Sequence, residues 1–257
     1  IDAPLVGTAA ATVSGLTDDK GLFAQWADVA DERGVEIAYA DLELDLEGIE
    51  ILEPDLIIGS ANGGDSTLDA YDQLSEIAPT VLLDYGTPTW QELTERLGEI
   101  TGLETNAEAV IAEYDAFVAE QSGGIALPAQ PVMALVYLGP DGAWAFADET
   151  PQSKLLESLG FEYAAIPDEA QVETAGATGV AVVSAENMPS AFGSAETIFV
   201  VPIRGPEEVD AFIGDPLLAN LPAVSGDRVH TLGPASFRLD YYSAVDTVEL
   251  LVAEFGS

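Results

Sequence analysis

The sequence predicts an α/β fold in which two lobes are joined by one long α-helix, and three observations carry that expectation. Short apolar runs alternate with helix-length amphipathic stretches, the order that builds α/β layers. The chain has 257 residues, 48% of them hydrophobic, with a mean hydropathy of +0.21. That is enough to bury cores for two lobes and too apolar for disorder. Between the two series of elements, one stretch keeps a single apolar helical face over most of its length.

The expected strands are DLIIGS (55–60), TVLLDY (80–85), PVMALVY (131–137), GVAVVS (179–184), TIFVVP (197–202) and RVHTL (228–232). They are continuous apolar runs, which suits strands covered on both faces in a parallel sheet. TWQELTERLGEITG (89–102) reads as a helix closed by Gly102. In NAEAVIAEYDAFVAEQSGG (106–124), Val110, Ile111, Tyr114, Phe117 and Val118 fall on one helical face. About 16 residues at 1.5 Å each span roughly 24 Å. This is read as the joining helix, against the plainer reading of an ordinary surface helix. The expected domains are 1–105, the helix 106–124, and 125–257. YYSAVDTVELLVAEF (241–255) is the last expected helix.

Charge narrows the functions available. Asp and Glu number 46 against 7 Lys and Arg, a formal net charge of −39. Nucleic acid and anionic membrane surfaces are excluded as partners, since both demand clustered cations. No apolar run reaches the ~18 residues that cross a bilayer. With no cysteine, one histidine and two methionines, the chain offers no thiolate site and little for soft metals, so no resident metal or cofactor is expected. IDAPLVG (1–7) lacks the basic start and apolar stretch of a signal peptide, so any signal or lipid-anchoring cysteine is expected upstream of it.

No catalytic constellation is visible, and an enzyme is not expected. GSANGGDS (59–66) has P-loop glycine spacing, but Asp65 stands where the lysine should be and would repel a phosphate. The loop reads instead as a strand-to-helix connection whose Asn62 can line a crevice at the carboxyl ends of strands. No G-x-S-x-G elbow occurs, and His230, in mid-strand, reads as structural. Tyr241-Tyr242 raises the alternative of direct ferric-ion binding by tyrosinates, although neighbours on a helix diverge by about 100°.

Cations are few enough to inspect singly. Arg33 and Arg96 read as solvated surface charges and Arg228 as a loop residue. Lys20, in TDDKG (17–21), reads as a loop residue close to a cleft wall. Arg204 stands at the carboxyl edge of the strand 197–202, and Arg238, in SFRLDYYS (236–243), precedes the last helix. Both are cleft candidates. Trp144, in DGAWAFADE (141–149), reads as an aromatic in a long connecting loop, where function concentrates.

Residues 53–102, DDKGLFAQWADVADERG (18–34), LPAQPVMALVY (127–137), KLLESLGFE (154–162), DPLLANLPAV (215–224) and FRLDYYSA (237–244) together resemble the class III periplasmic binding proteins for iron-siderophores and cobalamin. The resemblance covers nearly the whole chain, with one strand-helix unit of the family expected ahead of Ile1. It implies two α/β lobes joined by one helix, ligand held in the cleft between them, and a monomeric, extracytoplasmic or lipid-anchored component of an ABC importer. The implied ligand is a ferric siderophore of catecholate (enterobactin-like) type; another chelate (hydroxamate siderophore, haem or cobalamin) is the alternative.

By the same resemblance, Arg238 matches the arginine of the FRLDYYS motif, Trp144 an aromatic of a cleft loop, and Tyr85 a tyrosine after the strand 80–85. Glu47 and Asp240 match acidic residues that dock on permease arginines, one on each lobe. One member carries an arginine just before the segment matching DDKG; TVSGLTDDKG (12–21) has none. Lys20 is the candidate substitute, although an ammonium does not replace a planar guanidinium on a catecholate.

Overall fold

The computed structural model describes residues 1–86, 88–167, 173–174 and 180–256. The first half is built from β1 (Gly7–Ala9), α1 (Ala24–Glu32), β2 (Glu36–Tyr39), α2 (Leu46–Ile51), β3 (Ile57–Ser60), α3 (Tyr71–Ile77) and β4 (Thr80–Leu83). β1 pairs in parallel with β2, and β3 with β4. Each pair encloses a helix in a β-α-β unit; the alternating pattern predicts the second, whose strands fall in 55–60 and 80–85, and not the first. Their cores are small: Ala10, Leu22, Ala27 and Ala30 under the first, Ile49, Ala70 and Leu74 under the second.

Two helices follow, α4 (Trp90–Thr101) and α5 (Glu104–Ser122). α4 opens on a capping box in which Thr89 and Glu92 satisfy each other's backbone N–H groups. It closes, as expected, on Gly102 in the left-handed conformation, φ 70°. α5 occupies the stretch expected for the joining helix, displaced by two residues toward the N-terminus. It buries Ala107, Tyr114 and Val118, and a β-carbon at Gly98 would lie 2.8 Å from that of Ala107, so α4 and α5 pack closely there.

The second half holds β5 (Val132–Tyr137), β6 (Ala143–Phe146), α6 (Pro151–Ser158), β7 (Glu173–Thr174), β8 (Val180–Val183), α7 (Met188–Ala191), β9 (Thr197–Val200), α8 (Glu207–Gly214), α9 (Pro222–Ser225), β10 (Val229–Thr231) and α10 (Tyr241–Phe255). One six-stranded sheet runs in the order β10-β9-β5-β6-β8-β7. β5 is buried along its whole length. Met133, Leu135 and Tyr137 face one core with Phe192 and Phe212, while Val132, Ala134 and Val136 face the other with Leu156, Val248 and Leu251. Helices cover both faces, as the continuous apolar runs require.

The sheet corrects two expectations. It is mixed: β9 and β10 run parallel with β5, but β6, β8 and β7 pair antiparallel. A two-sided cover makes a strand wholly apolar whichever way its neighbour runs, so burial alone did not fix direction. And residues 143–146, expected in a loop, form β6 between β5 and β8, with Ala143 and Ala145 fully buried. The expected strand 179–184 is β8; Gly179 lies outside the described residues.

With 46 carboxylates and 7 cations, the surface repels itself, and screening should relieve it. Raising ionic strength from about 0.01 M to about 1 M shortens the Debye length from ~30 Å to ~3 Å. The melting temperature should therefore climb with NaCl, as followed by circular dichroism; a flat or falling trend would show that the carboxylates cost the folded state nothing.

Candidate functional site

Three loops from the first half and one segment from the second converge. After β1, Asp18 accepts hydrogen bonds from the backbone N–H groups of Lys20 (2.9 Å) and Leu22 (2.8 Å), and Gly21 turns with φ 85°. That turn delivers Phe23 to the start of α1. After β3, the loop 61–67 is closed by Thr67 N–H donating to the Ser60 carbonyl at 2.9 Å. After β4 come Asp84 and Tyr85. From the second half, β10 leads through a 3-10 turn at Pro234–Phe237 to Arg238 in extended backbone, then to Asp240, which caps α10.

Arg238 is where they meet. Its guanidinium carbon lies 5.3 Å from the Phe23 ring centroid and 5.7 Å from that of Tyr85, both within cation–π range. The other six cations each have a carboxylate partner: Lys20 with Asp31, Arg33 with Asp2, Arg96 with Glu99, Lys154 with Glu149, Arg204 with Glu208 and Arg228 with Glu196. Among the described residues Arg238 has none. In a chain so rich in carboxylates, a guanidinium left to aromatic faces is a cation held available. Beside it is a hollow of about 50 Å³ lined by Leu16, Phe23, Gln25, Ala235, Phe237 and Arg238.

The expected cleft residues fall into place unequally. Tyr85 lies against Arg238, and its hydroxyl donates to Asp65 at 2.5 Å. Burial raises its pKa, Asp65 adds to the rise, and Arg238 opposes it. Asn62 stands in the neighbouring loop; its Nδ2 donates to Asp84 at 2.7 Å, and its Oδ1 is buried without a partner among the described residues. Trp144 projects from β6, not from a loop, and stacks on Phe237 at 6.4 Å and 24°. It reaches the site through that ring.

Two cations are committed elsewhere. Lys20 is bound to Asp31 at 2.5 Å, which draws its ammonium toward α1. Arg204 follows β9 as expected, but its Nε lies 3.9 Å from Glu208, and its side chain is 59% exposed. The carbonyl oxygen of its neighbour Ile203 lies 3.9 Å from where a β-carbon on Gly15 would sit, and Gly15 lines the hollow, so the Arg204 loop runs near its rim. The expected convergence of two arginines is thus met by Arg238 alone.

Of the two docking candidates, Glu47 is exposed in the first turn of α2. Asp240 also has a use within the chain. It accepts from Ser243 N–H (2.9 Å) and Oγ (3.1 Å) as the cap of α10, and its other oxygen accepts from Gln25 Nε2 at 3.1 Å. Both oxygens are spent inside the chain.

Tyr241 packs with Trp90 (5.6 Å) and Tyr114 (6.5 Å), joining α10 to α4 and α5. Burial, then Glu113 and Tyr242, raises its pKa, which works against the tyrosinate that direct iron binding needs. His230 bonds Glu254 at 2.8 Å and packs edge-on to Phe255, the structural role read from its strand. A larger cavity of about 410 Å³ lies between α4, α5 and α6, with Trp90, Tyr114, Lys154 and Leu239 in its wall. None of the six expected cleft residues lines it, whereas Arg238 lines the smaller hollow.

Phe23 and Phe237 join this cluster although the sequence did not single them out, and Asp65, which the sequence marks only as the residue that spoils a phosphate loop, joins it through Tyr85. Phe237 was one step away, next to Arg238 in SFRLDYYS. Phe23 and Asp65 show their role only when their loops fold toward the second half.

Known proteins share the sequence and the fold. The periplasmic binding protein family profile matches residues 3–235. The ferric enterobactin-binding periplasmic protein FepB of Escherichia coli O6:H1 is 40% identical over 261 residues, covering 99% of this chain and 80% of FepB. The crystal structure of holo-ViuP superposes with a TM-score of 0.90 at 31% identity, over 100% of this chain and 84% of that one. The triscatecholate siderophore binding protein FeuA from Bacillus subtilis, complexed with ferri-bacillibactin, shares the fold at 19% identity, with a TM-score of 0.66 over 96% of this chain and 82% of FeuA. A match across most of the length, at this identity and with this fold, places the chain in the periplasmic binding protein family.

Proposed function

We propose that this protein is the extracytoplasmic substrate-binding component of an ABC importer, that it binds a ferric siderophore of catecholate type, and that it is not an enzyme. Arg238, the cation free of any carboxylate partner among the described residues, is the observation that carries this reading. A ferric tris-catecholate is a trianion. At about 4 Å and an effective dielectric of 20, one guanidinium attracts each unit of charge with about 4 kcal/mol before desolvation. The distant surface carboxylates are screened beyond ~8 Å at physiological salt. Phe23, Tyr85, Phe237 and, behind them, Trp144 supply ring faces for the catechols. The identity to FepB supports the same ligand class.

A hollow of about 50 Å³ is well below the ~300 Å³ of ordinary ligand pockets. Binding therefore separates the segment around Phe23–Gln25 from that around Ala235–Asp240 and breaks the Gln25–Asp240 bond. We assign α5 the role of joining the lobes, with residues 1–105 and 125–257 on either side of 106–124; its packing through Ala107 on α4 and Tyr114 on Trp90 supports this. Exposed Glu47 remains the candidate contact for a permease arginine.

Titrating ferric enterobactin while following tryptophan fluorescence tests the reading: saturable quenching is expected, and no response to any ferric catecholate would end it. A neutral hydroxamate chelate is the second reading, favoured by three aromatic rings around the one cation that is free among the described residues. A competition panel separates the two.

A further inference from the structure

Asp65 first stands out as the residue that spoils a phosphate loop. The fold gives it another setting. Its Oδ1 accepts the Tyr85 hydroxyl at 2.5 Å, and the Tyr85 ring lies against Arg238. The loop is shaped around that bond. Gly63 has φ 81°, and a β-carbon there would run into both the Tyr85 hydroxyl and Asp65 Oδ1. Asp65 has no cation partner among the described residues. It is half-buried, and its charge is felt at Tyr85 and also at Tyr39 on β2. A carboxylate one contact away from the cation of an anion site opposes the ligand, so its presence sets a limit on ligand charge.

We infer that Asp65 is the specificity-determining residue of this cleft: it holds the Tyr85 ring against Arg238 through the phenol hydroxyl, and its charge discriminates against the most anionic ferric chelates. The inference rests on the binding function proposed above and adds to it a selection by charge. A ferric complex of three catecholates is a trianion, whereas one with two is a monoanion of the same donor chemistry. Asp65 repels the first with three times the energy of the second at equal distance.

The test uses Asp65→Asn, which keeps an acceptor for the Tyr85 hydroxyl while removing the charge. Affinities for ferric enterobactin and for the ferric complex of a linear bis-catecholate are measured in the wild-type protein and the variant. At a separation of about 10 Å in a water-like dielectric, the trianion should gain about eightfold and the monoanion about twofold. Equal changes for both chelates, or none, would overturn the inference. If the wild-type protein binds neither chelate, the failure belongs to the proposed function. A ligand-free readout checks the hydroxyl link. In protein carrying 13Cζ-labelled tyrosine, with the Tyr85 signal identified by Tyr85→Phe, Asp65→Asn should lower the pH at which Tyr85 ionises, because Asp65 raises it. An unmoved Tyr85 titration would overturn the link, and unchanged melting of both variants confirms that the fold is intact.

Discussion

Replacing Arg238 by alanine is expected to weaken siderophore binding by roughly 10- to 150-fold, which corresponds to ~1.5–3 kcal/mol for a charged hydrogen bond. The side chain is exposed and makes no ion pair among the described residues, so little of this should appear as lost stability. What it loses in the free protein is the contact with Phe23 and Tyr85, about 0.5–1 kcal/mol at an exposed site. Arg238→Lys should recover only part of the affinity. An ammonium restores the charge but not the planar fork that meets paired catecholate oxygens. Fluorescence titration with ferric enterobactin measures both variants; affinity within twofold of wild type in Arg238→Ala would remove this residue from the binding site.

The second large effect concerns the core. Phe199, on β9 between β5 and β10, is fully buried. It meets Phe161 edge-on at 5.8 Å and Phe255 at 6.1 Å, with the His230 ring also at 6.1 Å. Alanine there removes a whole ring from a site whose neighbours belong to β10, α10 and the strand-like segment after α6, and these cannot all close in together. The expected cost is ~3–5 kcal/mol, a large share of the ~5–15 kcal/mol that holds an ordinary domain together. Urea unfolding followed by circular dichroism gives the value. A loss under ~1 kcal/mol would mean that the surrounding aromatic rings are loosely packed.

How far the sequence disclosed this arrangement depended on the kind of signal each element carried. β5 was readable because six successive buried residues leave no other apolar explanation, and α4 because Thr89, Glu92 and Gly102 mark both its ends. β1 and β2 escaped notice: Gly-Thr-Ala and Glu-Ile-Ala-Tyr are too short and too weakly apolar to stand out from a loop. β6 was concealed by its two alanines and by Gly142 before it, although burial between two neighbours is what makes those small side chains fit.

The site was legible through scarcity. Seven cations can be weighed one at a time, and Arg238 emerged from its motif. Sequence could not tell that Lys20 and Arg204 had already found carboxylates, because Asp31 and Glu208 looked like any of the other acids. That Asp240 caps the last helix shows only once the helix start is placed. Phe23 and Asp65 depended on contacts between distant loops, which no local pattern encodes.

The unequal fate of the arginines also has a practical reach. Dicarbonyl reagents such as phenylglyoxal attack a guanidinium at its nitrogens, and a carboxylate held against those nitrogens covers them. Among the described residues four of the five arginines have such a neighbour, leaving Arg238 as the natural point of covalent labelling. Mass spectrometry of briefly labelled protein can therefore report cleft occupancy in crude mixtures, with adduct formation falling as an occupant shields that single position.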